Sequence, residues 1–144
     1  MSFLDILAII IPAALYTAAP LIFTALGGVF SEKSGVINIG LEGLMLFGAF
    51  AGVLTTLALQ DVVGAAAPWI AILVAALASA LFSLLHAVAS ITLRADQTVS
   101  GVAINLLAVG LTVFLVRSIY GKGQTDFVNY RLNKEDIPFL SDIP

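Results

Sequence analysis

Residues 31–52, SEKSGVINIGLEGLMLFGAFAG, decide the fold of this chain. Four polar side chains, Glu32, Lys33, Asn38 and Glu42, stand here between two strongly apolar segments, and glycines recur at positions 35, 40, 43, 48 and 52. Charged and amide side chains at membrane depth are costly, so they usually face a protein interior or a water-filled path. The pattern predicts an all-α, polytopic membrane protein with a broken helix around residues 31–42 that lines a polar pathway.

The composition supports a membrane protein. Of the 144 residues, 60% are hydrophobic and 10% are charged, whereas a soluble domain carries about 25% charged residues. The absence of cysteine excludes disulfides and cysteine-ligated metals, and the single histidine argues against a histidine-rich metal site. The formal net charge of −3 argues against nucleic acid as a partner. We therefore expect no metal and no cofactor bound by the chain itself.

Apolar runs of about 20 residues indicate about four membrane-spanning helices. The predicted spans are residues 6–30, 39–59, 68–91 and 99–119, which together make a transmembrane region over residues 1–119. Residues 120–144 are much more polar and are expected to form a loop that leads toward a missing second half. Apolar side chains return at residues 136–144, as they would ahead of another membrane element.

Small and weakly polar side chains mark the helix faces expected to pack inward. Such stripes are present in all four spans: Ala13, Thr17, Pro20, Thr24 and Gly27 in the first; Gly48, Gly52 and Thr55 in the second; Ser79, Ser83, His86 and Ser90 in the third; Gly101, Asn105, Ala108 and Thr112 in the fourth. The histidine lies in an apolar helix among serines. We expect it to be packed and hydrogen-bonded, and we identify no catalytic residue.

Three side chains are candidates for a substrate pathway: Asn38, Glu42 and Asn105. An amide can donate and accept hydrogen bonds at once, which suits ribose hydroxyls and base edges. Each amide also has a purely structural interpretation. Asn38 is equally suited to be the N-cap of the second span, and for Asn105 we favour a hydrogen bond between helices.

Glu42 has three interpretations. It can brace the broken turn by accepting hydrogen bonds from nearby N–H groups or from Lys33, it can line the pathway, or it can carry a proton, since buried carboxylates are often paired or functional. The glycines expected to break the helix here are Gly35, Gly40 and Gly43.

Two stretches resemble the permeases of ABC importers for nucleosides and simple sugars. The first is GGVFSEKSGVINIGLEGLMLFGAFAG, residues 27–52, and the second is LRADQTVSGVAINLLAVGLTVFL, residues 93–115. The first stretch is also similar, more loosely, to ribose and branched-chain amino-acid permeases. The resemblance covers nearly the whole chain, which matches the N-terminal half of such a permease.

The resemblance implies a non-enzymatic, pathway-forming subunit in the cell membrane, surrounded by lipid. It also implies a second permease subunit, ABC ATPase subunits that bind ATP-Mg, and an extracytoplasmic substrate-binding protein. It places the turn at residues 92–98 in the cytoplasm and the polar tail outside, although the basic residues of the tail favour the opposite orientation.

Two other functions remain open from the sequence. Four helices with one embedded carboxylate can form a small proton-coupled exporter, in which Glu42 would carry the proton. The other possibility is a non-transporting assembly subunit or a truncated product. Residues 121–125, GKGQT, lack the spacing and context of a phosphate-binding loop. ATP hydrolysis is therefore assigned to a partner.

Overall fold

The computed structural model describes residues 2–132, and this part of the chain is built from helices joined by short turns. The four long helices are α1 (Phe3–Lys33), α2 (Leu41–Val63), α3 (Ala67–Ala87) and α4 (Gln97–Tyr120). A 3-10 turn, Gly64–Ala66, joins α2 to α3, and a π-helical turn, Val88–Thr92, extends α3. The predictions made for residues 133–144 lie outside the described part of the chain.

Within residues 2–132, three helical runs are long and apolar enough to cross a membrane: Phe3–Lys33, Leu41–Thr92 and Gln97–Tyr120. The middle run doubles back at the 3-10 turn and so contains both α2, of 23 residues, and α3, of 21 residues. At about 1.5 Å per residue, each arm is long enough for about 30 Å of hydrocarbon. The all-α fold class is confirmed. Each predicted span corresponds to one long helix, although residues 39–40 precede α2 and residues 88–91 belong to the π-helical turn after α3.

Helices α2 and α3 form an antiparallel pair that holds much of the core. Gly48 of α2 lies so close to α3 that an added Cβ would meet the Ser79 hydroxyl. The Ser79 Oγ donates to the Leu44 carbonyl at 2.9 Å. One helical turn beyond Ser79 on α3, Phe82 stacks on Phe47 of α2, with ring centroids 4.3 Å apart. Small residues and one aromatic stack therefore set this interface, as is usual where lipid removes the hydrophobic drive for helix association.

Helix α4 packs on α2 through the small, polar face predicted for it. Gly101, Ala108 and Thr112 are buried on this face, and Asn105 is half-buried. A Cβ on Gly101 would lie 3.0 Å from the backbone nitrogen of Gly40. The backbones of α4 and of the segment that opens α2 are thus in direct contact at this glycine.

Helix α1 is attached to this bundle much more loosely. It continues without interruption through Pro12 and Pro20, and none of its residues is buried. It meets α2 where Thr24 Oγ1 lies 3.5 Å from Met45 Sδ. Its position next to α2 is fixed by the turn that joins the two helices rather than by an extensive interface.

The inward-packing stripe predicted for α1 is wrong over most of its length. Ala13, Thr17 and Gly27 are exposed, and a Cβ on Gly27 would meet nothing within 4 Å. The glycine that does approach α2 is Gly28, where a Cβ would lie 2.9 Å from the Leu41 side chain. Spacing identified a small face correctly, but no helix in the described chain lies opposite most of it.

The segment after α4 returns toward the turn between α2 and α3. Gly121 ends α4 with a φ of +66°, a left-handed conformation that glycine adopts readily. Lys122 then pairs with Asp126, and the backbone N–H of Asn129 donates to the buried Gln60 Oε1 at 3.0 Å. The described part of the predicted polar loop is therefore tied to the far end of the bundle.

Candidate functional site

The break predicted around residues 31–42 is a turn at residues 34–40 that joins α1 to α2. Gly35 has a φ of +86°, a conformation that side chains disfavour. Ser31 Oγ closes the turn by donating to the Val36 carbonyl at 2.7 Å. Because Gly40 contacts Gly101, about one helical turn into α4, the turn lies near one end of the bundle.

Three side chains hold this turn against α3 and α4, and we call them the turn clamp: Gln97, His86 and Ser100. Gln97 Oε1 accepts from the Ile37 N–H at 2.7 Å. His86 Nε2 lies 3.2 Å from the Ile37 carbonyl oxygen, and its Nδ1 lies 2.9 Å from Ser100 Oγ. The ring is only 3% exposed. The prediction of a packed, hydrogen-bonded histidine is confirmed.

Asn38 does not cap α2 in the way the sequence predicted. The N-cap residue is Gly40, and Asn38 Oδ1 accepts from the Gly40 N–H at 2.9 Å. This is a side-chain turn of the kind that asparagine commonly forms two residues ahead. The helix begins later than predicted because residues 39 and 40 are held against Gly101 of α4.

Asn105 of α4 supplies the hydrogen bond that Asn38 was expected to give. Its Oδ1 accepts from the Gly43 N–H at 2.7 Å, and its Nδ2 donates to the Ile39 carbonyl at 3.1 Å. The first N–H groups of a helix have no partner within it, so this amide satisfies the start of α2 from a neighbouring helix. A Cβ on Gly43 would lie 2.9 Å from the Asn105 Cα, so only glycine allows this approach.

A cavity of about 490 Å³ opens beside this junction, between α1, α2 and α4. Its walls are mainly apolar and are formed by the side chains of Pro20, Met45, Leu46, Ala49, Leu106 and Val109. Its polar lining is Glu42 and Asn105. Concave, apolar spaces of this size with a few placed polar groups are typical of small-molecule sites.

The Glu42 carboxylate is exposed at this cavity. Within residues 2–132 it has no hydrogen bond and no ion pair. The predicted brace of the turn, through nearby N–H groups or Lys33, is therefore not formed in this part of the chain. No group of three or more His, Asp or Glu side chains in the described chain could hold a metal ion. Glu42 is therefore an acceptor at the cavity that no other residue in 2–132 engages.

The structure brings two of the three candidate pathway residues together. Glu42 and Asn105 line the same cavity, whereas Asn38 lies in the turn and bonds to its own backbone. Of the predicted glycines, Gly35 shapes the turn, and Gly40 and Gly43 lie against α4. Gln97 was not predicted from the sequence, although it extends the stripe of Gly101 and Asn105 by one further helical turn.

Comparison with known proteins gives a consistent result. The family described as "Branched-chain amino acid transport system / permease component" matches residues 10–136. The chain is 62% identical, over all of its 144 residues and 45% of the relative, to the guanosine ABC transporter permease protein of Bacillus subtilis. It is 46% identical, over the same shares, to the nucleoside ABC transporter permease protein of Lactococcus lactis subsp. cremoris.

A more distant relative is the putative glucose ABC transporter permease protein of Haloferax volcanii, at 34% identity over 102 residues, 71% of this chain and 29% of the relative. The chain spans about half the length of the first two curated relatives, 45% in each case. No solved structure matches it.

Proposed function

The chain belongs to the family of permease components of branched-chain amino acid transport systems, and from this premise we propose that it forms part of the substrate pathway of an ATP-driven ABC importer for nucleosides. It is a multi-pass membrane protein, and members of its family are non-enzymatic membrane components. The names of the relatives at 62% and 46% identity support a nucleoside, and the relative named for glucose is more distant, at 34%.

The observation that carries the proposal is the cavity between α1, α2 and α4. Its volume of about 490 Å³ falls within the range of small-molecule sites. Its apolar walls suit the faces of a nucleobase, and its polar lining suits a base edge or a ribose hydroxyl. A pathway needs contacts of this kind, favourable enough for entry and few enough for release.

Permeases of this family work with ATPase and substrate-binding partners. For this chain we propose ABC ATPase subunits that bind ATP-Mg, a second permease subunit and an extracytoplasmic substrate-binding protein. Lipid surrounds the exposed apolar side chains. In the proposed orientation, the turn at residues 92–98 faces the cytoplasm and residues 121–132 face the opposite side, in keeping with their positions at opposite ends of α4.

The proton-coupled exporter considered from the sequence is not supported, because the family is one of import permeases. No relative described above is named as an exporter. The Glu42 carboxylate, which has no ion pair within residues 2–132, is better explained by contact with a substrate than by proton exchange.

A bulky residue in the cavity tests the proposal. Ala49 lines the cavity, and Ala58 is exposed on the opposite side of the same helix, nine residues further on. In the full-length permease, assembled with its ATPase and binding protein in proteoliposomes, Ala49→Trp should lower guanosine uptake about tenfold or more, because it obstructs the route of the substrate.

Ala58→Trp is the matched control and should leave uptake near that of the unmodified permease. Uptake is expressed per amount of folded permease, so that a loss of protein is not counted as a loss of transport. Normal uptake by Ala49→Trp would remove this cavity from the pathway.

A further inference from the structure

The charged and polar side chains that line the cavity restrict which ligands it can bind. Among the described residues that line it, Glu42 is the one charged side chain, and none is basic. Of the other carboxylates in residues 2–132, Asp96 accepts from the Val99 N–H at 2.9 Å, Asp5 accepts from the Ser2 N–H at 2.7 Å, and Asp126 pairs with Lys122. The carboxylates of Glu32 and Asp61 are exposed and, like that of Glu42, have no hydrogen bond there, but they do not line this cavity. From residues 2–132, the cavity therefore offers a ligand one carboxylate that no side chain of this part of the chain engages.

An ionised carboxylate has two acceptor oxygens and no donor. The base edge that fits it has two neighbouring donors, and guanine has such an edge in its N1–H and its exocyclic amino group. Adenine and cytosine present one amino donor beside a ring nitrogen acceptor, so the second oxygen would face a lone pair. Uracil places a single N–H between two carbonyl oxygens. Hypoxanthine keeps the N1–H but lacks the amino group.

The second polar group in the cavity strengthens this bias. The Asn105 amide uses one N–H on the Ile39 carbonyl, and its other N–H is available as a donor to guanine O6. Adenine has an amino group at the corresponding position and cannot accept there. The apolar walls, represented by Pro20, Leu106 and Val109, suit the faces of a purine ring.

We infer that Glu42 determines base specificity in this pathway by accepting hydrogen bonds from N1–H and the amino group of guanine, so that guanosine is favoured over adenosine and the pyrimidine nucleosides, with inosine intermediate. The inference rests on the proposed function and names its substrate class more closely.

The test compares uptake of several nucleosides by one assembly. The full-length permease, its ATPase and one fixed binding protein are reconstituted, and initial uptake of guanosine, inosine and adenosine is measured for each permease variant. Because the binding protein is the same throughout, its own preference cancels when a variant is divided by the unmodified permease.

Glu42→Gln should lower the ratio of guanosine to adenosine uptake about tenfold, since an amide matches the donor and acceptor of adenine and a good bidentate pair is worth about 5- to 150-fold. Glu42→Asp should retain the preference, because the carboxylate remains. Glu32→Gln, an exposed carboxylate that does not line the cavity, is the matched control and should leave the ratio unchanged.

A ratio that stays within about twofold in Glu42→Gln overturns the inference while leaving the pathway intact. An equal fall in the uptake of every nucleoside also overturns it, because Glu42 then serves transport in general. If the unmodified assembly takes up no nucleoside at all, the proposed function fails together with the inference.

Discussion

Helix α1 and the bundle of α2, α3 and α4 are similarly apolar, but they are packed very differently. None of the residues of α1 is buried. The other three helices bury small and polar side chains against one another, among them Gly48, His86 and Thr112. Apolarity therefore places a helix in the membrane, while small residues and hydrogen bonds decide which helices associate.

The largest loss of bundle stability is expected from a substitution at Gly43. In Gly43→Ala the new Cβ would lie 2.9 Å from backbone atoms of α4 and from Asn105 Oδ1, so the two helices must separate. Overpacking of this kind costs about 1–3 kcal/mol. Chemical denaturation of the full-length permease in detergent measures the loss.

Gly110→Ala is the matched control, because Gly110 lies in α4 with nothing within 4 Å of its added Cβ. It should be neutral or slightly stabilising, since alanine favours a helix over glycine. Equal stability of the two variants would contradict the assignment of Gly43 to the contact between α2 and α4.

Loss of the turn clamp should have a smaller effect. Gln97→Ala removes the acceptor for the Ile37 N–H, which we expect to cost about 1 kcal/mol. The turn should then loosen without unfolding of the bundle, and hydrogen exchange at residues 34–40 should accelerate. Gln124→Ala, in the exposed segment after α4, should leave exchange at the turn unchanged. Unaltered exchange in Gln97→Ala would show that the clamp does not hold the turn.

The smallest effects should be found in α1. Gly27→Ala meets nothing within 4 Å, and Gly28→Ala meets only the flexible end of Leu41. Both should change the free energy of unfolding by less than about 0.5 kcal/mol. The same denaturation measurement checks this. A loss at Gly27 as large as that at Gly43 would mean that α1 is packed as tightly as the bundle.

Hydropathy and spacing predicted the helices and one interface well. The four spans correspond to α1–α4, and the stripe of Gly101, Asn105, Ala108 and Thr112 does face α2. The stripe on α1 was read in the same way and was mostly wrong. A periodic small face shows that close packing is possible, but the pattern within one helix does not state whether a partner lies opposite.

The start of α2 could not be predicted from local sequence. Asn38 has the residue type and the position of an N-cap, but the bond to the third residue of the helix comes from Asn105, 62 positions further along the chain. Gln97 was missed for the same reason, since its partner Ile37 is 60 positions away. Both belong to tertiary contacts that only the fold brings together.

The surroundings of His86 fix the direction in which its hydrogen bonds run. The Ile37 carbonyl can only accept, so Nε2, 3.2 Å from it, carries a proton. In the neutral tautomer that this proton defines, Nδ1 is an acceptor and the Ser100 hydroxyl, 2.9 Å away, donates to it. In that tautomer, both hydrogen bonds point the same way. The hydroxyl of α4 donates to the imidazole of α3, and the imidazole donates to the backbone carbonyl of the turn.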